Sequence, residues 1–239
     1  MSARLPHKFE NMIAPSERPR PERLSDIVSE RLKQMLLDGG LEAGAPLSVV
    51  DIARQLGVSR QPVMEAIKRM EADDLVEIAP QVGCRVGRPD SSEVQDFFVM
   101  FAAMEAEVNA FAASRHTVEE AAELNQTLAE LLAALDRHDQ AALPVNHRLL
   151  NRRLHGALHA MARAPKVTRL SSALWDRSDF YIQTAFGGFR IDTRMRAVYR
   201  AIVGAVTARD AEGARAATRA HLLASGRIVA ARLRAKPST

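Results

Sequence analysis

The sequence predicts a mainly α protein. An N-terminal domain of three short helices carries a small β hairpin, and a C-terminal all-α bundle of about six helices follows. Three observations predict this. Hydrophobic residues make up 47% of the 239 residues and aromatics only 5%, with many Ala, Leu and Arg and little Thr or Tyr, a balance that favours helix. Apolar residues recur at helical spacing along most of the chain, while one segment alone alternates convincingly as a strand. A punctuating "GRPDSSE" near 88–92 separates the two patterns.

The elements follow in order. Residues 1–21 carry Pro6, Pro15, Pro19 and Pro21 among polar residues with no periodicity, and read as a flexible arm. "RLSDIVSERLKQMLLDGG" places Leu24, Ile27, Leu32, Met35 and Leu36 on one stripe, with Gly39 and Gly40 as its stop. "LEAGAPL" reads as a turn. "SVVDIARQLG" is a short helix with a capping box between Ser48 and Asp51, ended by Gly57. "SRQPVMEAIKRM" is the next helix, running to about Ala72: Ser59 is its N-cap, and Pro62 is tolerable in the first turn. In "LVEIAPQVGCRV", Val76 and Ile78 alternate with Glu77, "APQVG" turns, and "CRV" returns. Asp90, Ser91 or Ser92 can then cap a new helix. From 92 to 234 every segment reads as helix, with breaks near 114–117, 137–143, 164–166, 187–192 and 209–213. The organisation is an arm 1–21, a first domain 22–90 and a helical domain 91–239.

Bulk properties exclude several classes. No apolar run approaches the ~20 residues that span a bilayer, and the N-terminus lacks a signal-peptide core. The expectation is a cytoplasmic protein with no membrane partner. Its single cysteine, Cys84, excludes an internal disulfide. Charge is unevenly shared: residues 22–90 hold 9 Lys/Arg against 12 Asp/Glu, a net −3, and residues 91–239 hold 20 against 15, a net +5. A nucleic-acid contact by 22–90 therefore needs a local basic patch.

The helix after Ser59 shows where such a patch lies. Val63, Ala66, Ile67 and Met70 form one apolar stripe, leaving Arg60, Gln61, Met64, Glu65 and Lys68 facing away. Before it, Ala53 is small where two helices cross, Gly57 makes the turn, and Val63 packs back into the angle. That is helix-turn-helix spacing, and the hairpin after it makes the winged form. The outward face suits the major groove. Arg60 on the first turn can offer bidentate hydrogen bonds to guanine, and Gln61 can read a neighbouring base edge. Lys68, two turns on, suits a phosphate or the solvated back rim. Arg54 and Gln55 on the preceding helix, and Ser48 at its cap, can hold the DNA backbone, and Arg85 on the wing can add a phosphate or minor-groove contact.

"GLEAGAPLSVVDIARQLGVSRQPVMEAIKRMEADDLVEIAPQVGCRV" closely resembles the winged helix-turn-helix of GntR-type bacterial transcriptional regulators. By resemblance, Arg60 is the family's first DNA-reading arginine and Gly83 its wing glycine. Met64 departs from the pattern, which has a second DNA-contacting arginine there. Met can touch a thymine methyl but cannot bond a phosphate or guanine. Asp74 replaces the family's Gly before "LV", a milder departure.

The helical remainder resembles the FadR-like branch, whose effector domain is called FCD. "MEAEVNAFAA" (104–113), "NRRLH" (151–155) and "YRAIVGAVTARDAEGARAATRAHL" (199–222) carry the likeness. It implies a homodimeric, ligand-responsive regulator rather than an enzyme: a repressor on a palindromic double-stranded DNA operator, tuned by a small metabolite in the helical domain. A FadR-like acyl-CoA sensor differs only in the ligand. A helical metallo-enzyme built on His147, His155 and His221 lacks any recognisable general base or nucleophile.

Many FCD domains bind a divalent metal through one Asp and three His. In this chain those positions are Asn151, His155, Tyr199 and His221. Two imidazoles remain firm donors, Asn151 has lost the charge, and a phenol coordinates only after losing its proton. The expectation is weak or no Zn, Ni or Mn. The alternative has His147 rotate in, or Tyr199 bind as phenolate. An arginine position that often helps bind carboxylate effectors falls at Phe101, which points to a less anionic or more apolar ligand. Phe101, Asn151, His155, Tyr199 and His221 are the expected effector pocket. His7, His116 and His138 read as structural or solvated.

Overall fold

The computed structural model describes residues 21–79, 81, 83–136, 143–188 and 195–235. These fall into two compact units that divide between Pro89 and Asp90. The expected arm, apart from Pro21 at the head of the first helix, lies outside the described residues, as do His7 and His138.

The first unit runs α1 (Pro21–Leu37), β1 (Pro46–Leu47), α2 (Val49–Leu56), α3 (Arg60–Ala72), β2 (Val76–Ala79) and β3 (Gly83–Val86). The α3 stripe is the expected one: Val63, Ala66, Ile67 and Met70 are at most 1% exposed. On α1 the stripe is turned by one residue. Ser25, Val28, Leu32, Met35 and Leu36 are buried, and Ile27 is exposed. The set 25, 28, 32, 35 holds a strict three–four spacing, which Ile27 does not join.

Two local expectations need correction. "LEAGAPL" is more than a turn, because Pro46 and Leu47 pair antiparallel with Arg85 and Cys84. They form an edge strand in the order β1-β3-β2, the place where a sheet tolerates proline. A two-residue strand is too short to show alternation. Ser59 has the extended backbone of an N-cap, yet its hydroxyl makes no cap hydrogen bond. The third helical position, a usual donor to such an oxygen, is Pro62, which has no N–H. At α2 half of the capping box forms: Ser48 Oγ accepts from the Asp51 N–H at 3.2 Å, while the Asp51 carboxylate turns to Arg54.

Gly57 ends α2 at φ 66 and returns its N–H to the last turn. A side chain at this left-handed position would be strained, so glycine sets the angle between α2 and α3. Asp74, ahead of Leu75, also sits at positive φ, 53. The family's glycine there would adopt that conformation without strain.

The second unit contains six helices among the described residues: α4 (Ser91–Arg115), α5 (Val118–Asp136), α6 (Leu143–Met161), α7 (Pro165–Phe186), α8 (Met195–Thr207) and α9 (Ala211–Arg234). Asp90 caps α4 by accepting from the Ser92 and Glu93 N–H groups. Thr117 and Glu120 form a complete capping box at the head of α5, at 3.2 and 2.7 Å. α4 and α9 pack along much of their length, and at Gly226 an added Cβ would stand 2.4 Å from Phe98 Cβ. Leu131, Leu154, Leu158, Tyr199, Val203 and Val206 form the middle of the core. By length and composition α4 is apolar enough to cross a membrane, but over half of its most apolar window is packed inside this unit.

Candidate functional site

Arg60 and Gln61 stand exposed on the first turn of α3, and Lys68 is exposed two turns on. The apolar stripe on the opposite side fixes the rotation of the helix, so these three are presented outward. Met64 and Glu65 between them are half-buried, and Glu65 accepts a hydrogen bond from Gln61 Nε2 at 3.1 Å. Ser59 is exposed just ahead of Arg60, and Ser48 is half-buried at the head of α2. Gly83 opens β3 at φ 120, a backbone state that side chains rarely adopt.

Two further cations begin in exposed ion pairs. Arg54 reaches Asp51 at 2.8 Å, and Arg85 reaches its cross-strand partner Glu77 at 2.7 Å. Exposed pairs of this kind contribute ~0–1 kcal/mol. A phosphate can therefore replace the carboxylate at little cost, and both arginines stay available.

In the second unit the four positions singled out for metal come together. Asn151 and His155 lie one turn apart on α6, and Tyr199 donates its hydroxyl to Asn151 Oδ1 at 2.6 Å. The Tyr199 ring centroid lies 6.5 Å from that of His155 and 6.0 Å from that of His221. All four residues are at most 9% exposed. Burial pushes the Tyr199 phenol well above its ordinary pKa. Burial also holds His155 well below the usual imidazole range and lowers His221 to about 4. Phe101 is fully buried and meets Trp175 edge-on at 5.0 Å. His147 is buried on the same face of α6 as Asn151 and His155, and its pKa is likewise lowered by burial.

The family model described as bacterial regulatory proteins, gntR family, matches residues 24–86, and the FCD domain matches residues 96–224, over half of the chain. The protein belongs to the GntR family and carries an FCD domain. It is 26% identical over 191 residues to the HTH-type transcriptional regulator McbR of Escherichia coli, covering 79% of this chain and 84% of McbR. It is 28% identical over 220 residues to the Escherichia coli regulator YieP, covering 81% and 90%. Over 94 residues it is 33% identical to the Escherichia coli HTH-type transcriptional repressor RspR, covering 39% and 41%. The solved structure of McbR shares its fold with a TM-score of 0.71 at 24% identity, covering 87% of this chain and 97% of that one.

Sequence reasoning missed part of this GntR-family protein's buried centre. Arg152 Nε donates to Asp179 Oδ2 at 2.7 Å, and its Nη2 donates to Asp176 Oδ1 at 2.5 Å. Trp175 lies against His155, ring centroids 4.0 Å apart. Trp175 and Asp179 are spaced i, i+4 on α7, and the chain has one tryptophan; that spacing was the available signal. His159 continues the four-residue step of α6 but leaves the cluster. Its Nε2 lies 3.1 Å from the fully buried Glu105 carboxylate, which also accepts from Ser171. His116 is structural, its ring held at the Ala112 carbonyl.

Asp179 gives the domain a pH signature. Burial pushes its carboxyl up to about 6 against the pull of Arg152. The folded state thus holds this proton more tightly than the unfolded chain, so Asp179's contribution is full below about 4 and is lost as pH rises through about 6. The buried histidines act oppositely: their contribution is present above about 6.5 and is lost on acidification. Comparison with Asp179→Asn isolates the first effect. Between pH 4 and 7 the variant is expected to gain up to about 3 kcal/mol relative to wild type, at 1.4 kcal/mol per pH unit. Urea unfolding at several pH values measures it, and a difference constant with pH would show that Asp179 does not titrate there.

Met64→Arg supplies the cation that other GntR-type helices carry on this face. It is expected to strengthen DNA binding and to steepen the salt dependence by about one charge. An unchanged salt slope would place position 64 away from phosphate.

Proposed function

We propose that this regulator is a cytoplasmic homodimer and a repressor. It binds a palindromic double-stranded operator through α3 and the wing, and a small metabolite in the FCD domain alters that affinity. The observation that carries the DNA reading is the exposed Arg60–Gln61 pair on the first turn of α3, in a unit whose hairpin opens its return strand at Gly83. Lys68, Arg54, Ser48, Ser59 and Arg85 then serve the phosphates, and Met64 touches a base edge or methyl. The likeness to a named repressor supports the sign of regulation. Exposed Val99 and Met100 on α4, and Ile228 on α9, are apolar surface suited to a second copy. A ligand that prefers one of two dimer arrangements shifts their populations and with them the spacing of the α3 helices. Selection of bound sequences from a random duplex pool by the full-length protein is expected to return an inverted repeat. Light scattering should give the dimer mass. Enrichment of a single half-site by a monomer would overturn the reading.

The effector centre works without a metal. Its donor set does not fit a divalent ion: the Asn151 oxygen already accepts from Tyr199, and that phenol holds its proton more firmly than usual. Two imidazoles remain, which is fewer protein ligands than catalytic or structural sites use. Elemental analysis of the purified protein is expected to find no stoichiometric Zn, Ni or Mn, and one equivalent would refute this. The double change Asn151→Asp with Tyr199→His is expected to create tight Zn²⁺ binding and a melting temperature that rises with added Zn²⁺.

A further inference from the structure

Around Trp175 the FCD domain buries more hydrogen-bonding groups than it pairs. Trp175 Nε1, both ring nitrogens of His155 and Asp179 Oδ1 have no hydrogen-bond partner among the described residues. Their residues are 3%, 3% and 1% exposed. Such groups are costly to bury unpaired and are rare unless something satisfies them. These lie together, since the His155 ring stacks on Trp175 at 4.0 Å and Asp179 is one turn along the same face of α7. Beyond Trp175 the surroundings are aromatic. Phe101 lies 5.0 Å from the indole, Phe97 5.4 Å from Phe101, and Tyr181 5.1 Å from Phe97, between ring centroids. One side therefore offers an indole N–H, an imidazole and a carboxylate oxygen, and the other offers ring faces and edges.

The charges here are already matched. Arg152 pairs with Asp176 and Asp179, and buried Arg148 adds a second positive charge that acts on Asp179, so two cations face two carboxylates. An anionic ligand would meet the open Asp179 oxygen, and Phe101 gives it no counter-charge. A cationic ligand would meet Arg152. A neutral hydroxyl meets neither penalty, because it can donate to a carboxylate oxygen and accept from an indole or imidazole N–H.

We infer that the Trp175–His155–Asp179 corner binds a small uncharged molecule, a hydroxyl group carried on an aromatic body. The hydroxyl donates to Asp179 Oδ1 and accepts from Trp175 or His155, and the ring lies against the Trp175–Phe101 edge. This rests on the reading of the FCD domain as the effector domain.

Calorimetric titration of the full-length protein with benzyl alcohol, benzoate and benzylamine tests it, because the three probes share a ring and differ in charge. Benzyl alcohol is expected to bind at least tenfold more tightly than either charged probe. Trp175→Phe keeps a ring and removes the N–H; it is expected to weaken benzyl alcohol several-fold while its circular dichroism stays that of the folded protein. A charged probe that binds as tightly or more tightly overturns the inference and leaves the effector reading standing. Three flat titrations with wild-type protein also overturn the inference, and the effector reading then stands or falls on whether any metabolite shifts operator affinity.

Discussion

Arg152→Ala is expected to destabilise the helical unit by about 3–5 kcal/mol, the usual loss when one partner of a buried ion pair is removed. The cause lies with the partner. The Asp179 side chain is fully buried, and its Oδ2 accepts from Arg152 at 2.7 Å. Without the guanidinium that carboxylate loses its counter-charge in a low dielectric, and Trp175 loses a cation 5.7 Å from its ring. The next residue is a built-in control. Arg153 pairs with Glu130 at 2.5 Å, but its side chain is 57% exposed and that of Glu130 is 38% exposed. Arg153→Ala should therefore cost no more than about 1 kcal/mol. Urea unfolding of both variants makes the comparison. Equal losses would show that the pair to Asp179 contributes no more than a surface contact. Adding Asp179→Asn to Arg152→Ala is expected to recover part of the loss, because no buried charge is then left alone.

Arg60→Ala is expected to weaken specific operator binding by about 1–3 kcal/mol, roughly 5- to 150-fold in Kd, with a smaller loss on unrelated DNA. Arg60 opens α3 on its exposed side, where the side chain can lie flat against a guanine edge and make two hydrogen bonds. Those bonds have no counterpart on a wrong base, so their removal lowers the ratio of specific to non-specific affinity. Competition of a selected operator against a scrambled duplex measures that ratio. A variant with wild-type discrimination would move base reading to Gln61 or to the wing.

Much of this architecture was legible in the residues. The α3 stripe, the Ala53–Gly57–Val63 angle and the Thr117–Glu120 box depend on neighbours within a few positions, so spacing and side-chain chemistry suffice to predict them. Asn151 and His155 were likewise legible as one face of one helix. The misses share a cause, since each depends on a partner remote in sequence. β1 exists because β3 returns beside it, nearly 40 residues later. Ile27 is exposed because α3 chooses which face of α1 it covers. The silent Ser59 hydroxyl is the exception: Pro62 was in plain view, and the missing N–H could have been counted.

The sequence by itself determined the helix-turn-helix with its outward Arg60, Gln61 and Lys68, and the family to which the chain belongs. Helical periodicity and turn chemistry are local, and the apolar stripe leaves those side chains one direction to face. Only the tertiary structure decided the inside of the FCD domain. It joined Tyr199 to Asn151, brought Arg152 to Asp179, and laid His155 on Trp175. Each of these pairs links different helices, 20 to 48 positions apart. Burial then set their protonation, raising Asp179 and Tyr199 and lowering His155 and His221. The desolvation that shifts those groups belongs to the packed interior, and no property of the residues taken singly contains it.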